Sequence, residues 1–258
     1  MKNNRMTKLT TLILFLFIAV SATSQTRINA KDIMKDLKNG KTVSYKNATI
    51  VGVLDFTSMD EKLSKLPKRK SSWWGTGSNS NKIVEEIKGK VSFENCTFED
   101  NVFAYIPDED SGYTFTADFN DDAIFKNCTF NEMALFKYSH FEEKADFTDT
   151  KFKGESTFKY AEFKNYTNFS NTQFEESSTF KYSVFNNNVS FANSKFKETA
   201  TFKYAKFKDG VSFNKTTFDH DLIIKYTKIS GNFDISGMHV EYEIDSKYSN
   251  INGKKFSY

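Results

Sequence analysis

The chain has 258 residues, with 36 Lys and Arg, 33 Asp and Glu, and 28 Phe. This length suits one substantial domain or two small ones. The formal net charge of +3 is carried by Lys2, Arg5 and Lys8, because the remaining 33 basic residues balance the 33 acidic ones. A neutral remainder gives no support to general electrostatic attraction of the whole protein to nucleic acid.

Residues 1–24 have the pattern of a secretory signal peptide. The three basic residues precede the apolar run LTTLILFLFIAV at 9–20, and small residues follow in SATSQT. This order is typical of a cleaved signal, and the run is short for a membrane span of about 20 apolar residues. We predict cleavage after Ser24, with Ala22 and an uncleaved anchor as alternatives. No Cys lies near the cleavage site and no second apolar run follows. The sequence therefore predicts an exported protein, periplasmic or extracellular, from a bacterial source.

A short capping helix is predicted within residues 25–42. Asn29 is a suitable N-cap, Ile33 and Leu37 lie on one face at i and i+4, and Asn39-Gly40 would end the helix. The next segment, VSYKNATIVGVLDF at 43–56, alternates as a strand does and is predicted to form the first turn of the following domain.

Aromatic residues then recur with steps that alternate between five and six, so that four steps make a unit of 22 residues. A small residue precedes nearly every Phe by two positions. A period near five excludes an α-helix and a long strand, whose periods are 3.6 and two. We therefore expect short strand segments, four to a turn, that point Phe inward and stack at about 4.8 Å. Successive units begin at Phe136, Phe158, Phe180, Phe202 and Ile224.

The segments ADF at 145–147 and TNF at 167–169 resemble the motif of the pentapeptide-repeat proteins, which is a small residue, Asp or Asn, Leu or Phe, and two free positions. The resemblance covers roughly residues 91–245. It implies an all-β solenoid, a right-handed quadrilateral β-helix, here with a short N-terminal capping helix. The five-six alternation departs from a strict period of five and predicts a widened corner on two of the four sides. The expected organisation is a signal peptide (1–24), the helix (25–42), the β-helix (43–245, with insertions at about 57–89 and 104–114) and a C-terminal tail (246–258).

Cys96 and Cys128 lie in FENCTF and FKNCTF, 32 residues apart. This separation is one period plus the ten residues that the second insertion supplies. The two side chains therefore occupy equivalent inward positions on neighbouring turns, with Cα atoms about 5 Å apart, within the disulfide range. A disulfide and a pair of buried free thiols are both consistent with the sequence.

One Lys-Tyr pair recurs in every unit although most outward positions differ between units. These columns could form a binding strip, with Tyr stacking on sugars and Lys attracting acidic groups. They could equally cover a corner of the fold, with Lys stems packed across a Tyr ladder. The residues are Lys137, Lys159, Lys181, Lys203 and Lys225, and Tyr138, Tyr160, Tyr182, Tyr204 and Tyr226.

Trp73 and Trp74 follow Lys68, Arg69 and Lys70 in the first insertion. Exposed Trp beside basic residues suits a lipid interface or a glycan surface. The alternative is that both rings fold down and cap the first turn.

No arrangement of residues in the sequence indicates catalysis. His140, His220 and His239 fall in different columns, and no paired carboxylates, nucleophile elbow, phosphate loop or zinc spacing is present. An acidic cluster could hold calcium, but it lacks EF-hand spacing and favours a solvated loop. We expect no enzyme, cofactor or metal. The acidic cluster is Asp108, Glu109, Asp110, Asp118, Asp121 and Asp122.

The sequence therefore predicts an exported, non-enzymatic scaffold or interaction surface whose partner is a protein or an envelope glycan. A carbohydrate or polyanion binder that uses the Lys and Tyr columns is the alternative. A polysaccharide-active enzyme is disfavoured, because the outward positions around 142, 149 and 153 vary too much to provide converging carboxylates. Some pentapeptide-repeat proteins mimic DNA and bind topoisomerases through acidic surfaces. That role does not suit a neutral, exported chain with a Lys column.

Overall fold

The computed structural model describes residues 25–66 and 81–256. Within them the chain winds into stacked coils, and each coil crosses four parallel sheets in turn. Only two helices interrupt the described strands, α1 at Ala30–Lys38 and α2 at Met59–Leu63. Neither is long and apolar enough to span a membrane. The predicted β-helix with a short N-terminal helix is confirmed.

We number the four faces in the order in which a coil crosses them. The strands of face 1 are Val43–Lys46, Val91–Glu94, Ala123–Lys126, Ala145–Asp146, Thr167–Asn168, Val189–Ser190, Val211–Ser212 and Phe233–Asp234. The strands of face 2 are Thr26–Asn29, Ala48–Val51, Thr97–Phe98, Thr129–Phe130, Lys151–Phe152, Gln173–Phe174, Lys195–Phe196, Thr217–Phe218 and His239–Val240.

The other two faces complete each coil. The strands of face 3 are Leu54–Asp55, Val102–Phe103, Ala134–Leu135, Ser156–Thr157, Ser178–Thr179, Ala200–Thr201, Leu222–Ile223 and Ile244–Asp245. The strands of face 4 are Lys82–Ile87, Tyr113–Phe119, His140–Phe141, Glu162–Phe163, Val184–Phe185, Lys206–Phe207, Lys228–Ile229, Ser249–Ile251 and Lys254–Phe256, and Tyr105–Asp108 pairs with the second of them.

The Phe columns predicted from the repeat form the core. Parallel pairing places Phe152 opposite Phe174, and the equivalent Phe residues of successive coils are fully buried. In one column the ring centroids of Phe158 and Phe180 lie 5.0 Å apart, and those of Phe180 and Phe202 lie 4.9 Å apart, with nearly parallel planes. Because burial of one Phe contributes about 2–3 kcal/mol, these columns supply the main stabilisation of the solenoid.

Two kinds of corner alternate around each coil. Between faces 1 and 2, and between faces 3 and 4, the chain makes a β-turn in which the third residue has a positive φ, as at Asp149 (59°) and Tyr160 (61°). The other two corners contain no such residue in the coils from Ala134 to Lys208. The alternation of steps of five and six reflects these two geometries.

Helix α1 packs on the first coil as predicted. The side chain of Asn29 accepts a 2.9 Å hydrogen bond from the backbone N–H of Lys31, which is an N-cap contact. Ile33 and Leu37 are buried in the core, so the helix covers apolar side chains that would otherwise be exposed at this end. Residues 26–29, which the sequence analysis assigned to the helical segment, instead form a strand of face 2.

Both predicted insertions contain secondary structure. In the second, Tyr105–Asp108 pairs in antiparallel fashion with Tyr113–Phe119, so this segment is a β-hairpin at the side of face 4. The first insertion contains α2 and the strand Lys82–Ile87, and its residues 67–80 lie outside the described part of the chain.

The predicted C-terminal tail is a β-hairpin in the described residues. Ser249–Ile251 extends face 4, and Lys254–Phe256 returns beside it in antiparallel fashion. The two-residue loop is Asn252-Gly253, with φ of 51° and 81°, the residue pair most favoured in tight hairpins. The burial of Ser249 at the inward small position shows that the repeat continues in this coil, although no Phe marks it.

Candidate interaction surface

The recurrent Lys and Tyr lie in the β-turns between faces 3 and 4. In each turn the N–H of the fourth residue bonds the carbonyl oxygen of the first, as from Ala161 to Phe158 at 2.9 Å. Lys159 and Tyr160 are the central residues, and the positive φ of Tyr160 agrees with a type II turn. Such a turn favours Gly or Asn at this position, and a left-handed conformation costs other residues about 1–2 kcal/mol. Tyr is thus a poor choice for the backbone, and its recurrence needs another reason.

Stacking between coils provides that reason. The rings of Tyr160, Tyr182 and Tyr204 lie 4.7 Å from one another in succession, with interplanar angles of 1°. Each aromatic pair of this kind is worth about 0.5–1.5 kcal/mol, which offsets the backbone cost. We call this column the tyrosine ladder, and its members are Tyr138, Tyr160, Tyr182, Tyr204, Tyr226 and Tyr248.

Tyr248 is a member that the sequence analysis missed. It lies 22 residues after Tyr226, and the preceding Lys247 repeats the Lys-Tyr pair, but Ser246 stands where Phe begins most other turns. Tyr105, from the hairpin of the second insertion, adds a tilted ring 5.9 Å from Tyr138 at the opposite end. The insertion shifts its sequence spacing, so the period alone could not identify it.

The stacking decides which part of each Tyr a ligand could reach. Both faces of Tyr160, Tyr182 and Tyr204 are covered by neighbouring rings, so these rings cannot also stack on sugars, as the binding hypothesis proposed. Burial and the neighbouring phenols of Tyr160 and Tyr204 raise the pKa of Tyr182, which keeps its hydroxyl protonated. The ladder therefore offers ring edges and hydroxyl groups, and only the end ring of Tyr248 is mostly exposed, at 65%.

The lysines form a parallel row beside the ladder. We define the lysine row as Lys159, Lys181 and Lys203, whose Nζ atoms lie 5.3, 5.3 and 5.4 Å from the ring centroids of the Tyr that follows each. Among residues 25–66 and 81–256, no carboxylate forms an ion pair with these three side chains. Burial, and then the charges of Lys137 and Lys181, lower the pKa of Lys159. The row is thus an unneutralised cationic strip.

The lysines on either side of the row, Lys137 and Lys225, have partners. Lys137 donates a 2.9 Å hydrogen bond to the hydroxyl oxygen of Tyr105, and Lys225 lies 3.7 Å from the carboxylate of Asp245. On face 3, Thr157 and Thr179 accept hydrogen bonds from the backbone N–H groups of Lys159 and Lys181, each at 3.3 Å. The strip therefore combines one cation per coil with Thr hydroxyls on one side and Tyr hydroxyls on the other.

The comparison with protein families decides the identity of this repeat. A family model described as pentapeptide repeats (9 copies) matches residues 116–161, 136–184 and 180–227. The chain is a pentapeptide-repeat protein. The searches of curated proteins and of solved structures found no match. The matched residues include the whole lysine row and all of the tyrosine ladder except Tyr248.

In this pentapeptide-repeat protein, Cys96 and Cys128 are free, buried thiols rather than a disulfide. Each occupies an inward position that later coils fill with Thr150 and Thr172, whose hydroxyls donate to carbonyl oxygens of the preceding coil. The Cys128 thiol likewise contacts the carbonyl oxygen of Phe93 at 3.4 Å. Burial raises the pKa of Cys128, and its hydrogen bond to Cys96 lowers the pKa of Cys96 to about 7.

The three histidines contact different residues and do not come together. His140 shares a 2.8 Å hydrogen bond with the carboxylate of Asp118, which raises its pKa. His220 stacks on Tyr242, with ring centroids 4.8 Å apart. His239 lies 3.1 Å from Glu241.

Four of the six residues of the acidic cluster, Asp108, Asp118, Asp121 and Asp122, have local partners in the described structure. Asp118 binds His140, Asp122 pairs with Lys90 at 2.8 Å, and Asp108 accepts a hydrogen bond from the N–H of Ser111 at 3.0 Å. No group of three or more metal-binding side chains is found in the described ranges. Trp73 and Trp74 lie outside those ranges, so their predicted role stays a prediction.

Proposed function

We propose that this pentapeptide-repeat protein is an exported, non-enzymatic scaffold that presents its lysine row and tyrosine ladder to a partner in the cell envelope or the extracellular space. The observation that carries the proposal is the unneutralised lysine row. Lys151 pairs with Glu175 at 2.6 Å and Lys195 with Asp219 at 2.8 Å, whereas the three lysines of the row lack such partners in the described structure. An external acidic group would remove their mutual repulsion, which is about 0.9 kcal/mol for two charges 4.8 Å apart in water.

The solenoid is suited to present such a strip. Backbone hydrogen bonds join each coil to the next, as from Tyr160 N–H to the carbonyl oxygen of Lys181 at 2.9 Å. The turn residues are therefore held at the spacing of the strands. A rigid surface loses little conformational entropy when it binds, which favours recognition of an extended partner.

The non-enzymatic part of the proposal is supported by the placement of the groups that could perform acid–base chemistry. His140, His220 and His239 contact different partners in different coils. The Asp118–His140 pair lies on face 4, where Asp118 also accepts the backbone N–H of His140 at 2.9 Å. This pair therefore joins neighbouring coils.

Export is supported by the signal-peptide pattern of residues 1–24, which lie outside the described structure. N-terminal sequencing of the protein isolated from culture medium and from periplasmic extract tests this part. We expect Gln25 as the first residue. Recovery of the intact N-terminus from the cytoplasmic fraction alone would contradict export.

Co-sedimentation with isolated envelope fractions tests the role of the strip. The test variant carries Lys159→Gln, Lys181→Gln and Lys203→Gln. The matched control carries Lys126→Gln, Lys208→Gln and Lys215→Gln, because these lysines are exposed and lie away from the strip. We expect the wild type and the control to sediment with the envelope and the test variant to remain in solution. Equal sedimentation of all three proteins would show that the strip is not the interaction surface.

A further inference from the structure

We propose that the lysine row binds a linear acidic polysaccharide that carries one carboxylate on each sugar and lies along the solenoid axis. This inference rests on the proposed function, in which the strip is the interaction surface. It adds the chemical class of the partner.

The strip has one positive charge per coil. The rings of Tyr160, Tyr182 and Tyr204 are parallel within 1° and 4.7 Å apart, so the turns that carry them repeat with the same geometry from coil to coil. The lysines that precede these rings therefore follow one another along the solenoid at about the strand spacing of 4.8 Å. An extended chain of linked hexuronates has one carboxylate per sugar ring, and its rise per ring is comparable to the strand spacing. Where successive carboxylates turn about the axis of the polysaccharide, the flexible Lys stems can follow them.

The two borders of the row provide neutral polar groups for sugar hydroxyls. On one side the partly buried residues Thr179 and Thr201 line face 3, and on the other lie the partly exposed side chains of the tyrosine ladder. A protonated phenol both donates and accepts hydrogen bonds. Burial and its neighbours raise the pKa of Tyr182, so this phenol keeps its donor.

The same features argue against two other anionic partners, single-stranded nucleic acid and a membrane surface. Single-stranded nucleic acid is bound through bases stacked on open aromatic faces, and the inner rings of the ladder have both faces covered. A membrane surface is usually bound through apolar or aromatic anchors together with a broad basic patch. The lysine row is one residue wide, and its flanking Thr and Tyr present hydroxyl groups.

Titration calorimetry of the purified protein with polygalacturonate oligomers tests the proposal. Neutral dextran, oligodeoxythymidylate and vesicles of phosphatidylglycerol with phosphatidylcholine serve as comparison ligands. The variants are the two triple Lys→Gln proteins described above, each checked by circular dichroism. We expect polygalacturonate to bind with salt-sensitive affinity, and loss of the row to weaken binding about tenfold, since three exposed ion pairs are worth about 1.5 kcal/mol together. The control variant loses the same net charge, but at positions away from the strip. It should therefore bind within about twofold of the wild type.

A second variant, Tyr182→Phe, tests the contribution of the hydroxyl edge. It keeps the ring in the ladder, so stability should be unchanged, while the affinity for polygalacturonate should fall about fivefold if one hydrogen bond is lost.

The proposal is overturned if polygalacturonate does not bind, if the row variant binds as tightly as the control, or if only the oligonucleotide or the vesicles bind. If envelope co-sedimentation nevertheless depends on the row, the proposed function stands and only the polysaccharide assignment fails. Failure of the row variant to alter either measurement would contradict both.

Discussion

The hydroxyl of Ser183 donates a 2.7 Å hydrogen bond to the carbonyl oxygen of Phe158 in the preceding coil. The same carbonyl oxygen accepts the turn N–H of Ala161 at 2.9 Å, so it is bound both within its own turn and from the next coil. Equivalent contacts recur along the solenoid, from Thr172 to Phe147, Ser194 to Phe169, Thr216 to Phe191 and Thr227 to Phe202. The small inward residue is therefore a link between coils as well as a filler of space.

Because Ala205 occupies the same position without a hydroxyl, Ala205→Ser should stabilise the protein by adding a donor to the carbonyl oxygen of Phe180. Ser183→Ala should destabilise it by about 1 kcal/mol, a modest effect because the Phe158 carbonyl keeps its turn bond. Urea unfolding followed by circular dichroism measures both midpoints. A lower midpoint for Ala205→Ser would show that the slot cannot accommodate the hydroxyl.

Substitutions of Tyr182 separate the backbone cost of its turn from the stacking energy. Tyr182→Asn removes two ring contacts but suits the φ of 62°, as Asn171 and Asn193 do at the opposite corner. Tyr182→Val removes the same contacts and is strained as well, so it should be less stable than Tyr182→Asn by about 1 kcal/mol or more. Equal midpoints in urea for the two variants would show that the left-handed conformation imposes no cost here. Tyr182→Phe is the control that keeps the stack.

The contribution of His140 to stability should depend on pH. Its hydrogen bond to Asp118 raises its pKa in the folded protein. The stabilisation is therefore complete below the unfolded pKa of about 6.5 and is lost as pH rises through the higher folded value. We expect His140→Asn to lower the urea midpoint more at about pH 5.5 than at about pH 8.5.

The comparison variant for this measurement is His220→Asn, whose imidazole contacts Thr199 and Tyr242 and lies 3.5 Å from the exposed carboxylate of Asp221. The groups that face His140 include Glu162 and Lys82, and their charges act on it in opposite directions. An equal loss of stability at both pH values would mean that Asp118 does not favour the charged imidazole.

The buried thiols should react only when the coils open. A thiol reagent should label the folded protein slowly and should label both Cys96 and Cys128 after denaturation, because both are buried. Cys128→Thr copies the residue of the next coil, so the unfolding free energy should change by less than about 1 kcal/mol. The pKa of Cys96, about 7 in the wild type because of the hydrogen bond to Cys128, should rise in this variant, as followed by thiolate absorbance. A protein mass lower by two hydrogens, with no thiols after denaturation, would establish the disulfide instead.

Some features missed by the sequence analysis depend on contacts between segments far apart in the chain. Tyr105 reaches the tyrosine ladder because the hairpin of the second insertion folds back beside face 4, and no local signal marks that position. Similarly, the carboxylate of Asp118 accepts the backbone N–H of His140. In the next coil the equivalent N–H, that of Glu162, donates instead to the backbone carbonyl oxygen of Ser139. The irregular strand Tyr113–Phe119 creates this exchange, so the period could not predict it.

The number of faces, the register and the inward columns follow from the sequence alone. Each coil repeats the same Phe and small residues at the same spacing and must bury them against its neighbours. The N-cap at Asn29 could also be predicted from its neighbouring residues in the sequence. The roles of the outward residues depend on how the coils pack in three dimensions. The orientation of the Tyr rings, their covered faces and the absence of carboxylates beside the lysine row in the described coils depend on which side chains lie one coil above and below. The sequence established that Lys and Tyr recur, and stacking at the strand spacing turned them into a strip of charges and hydroxyl groups.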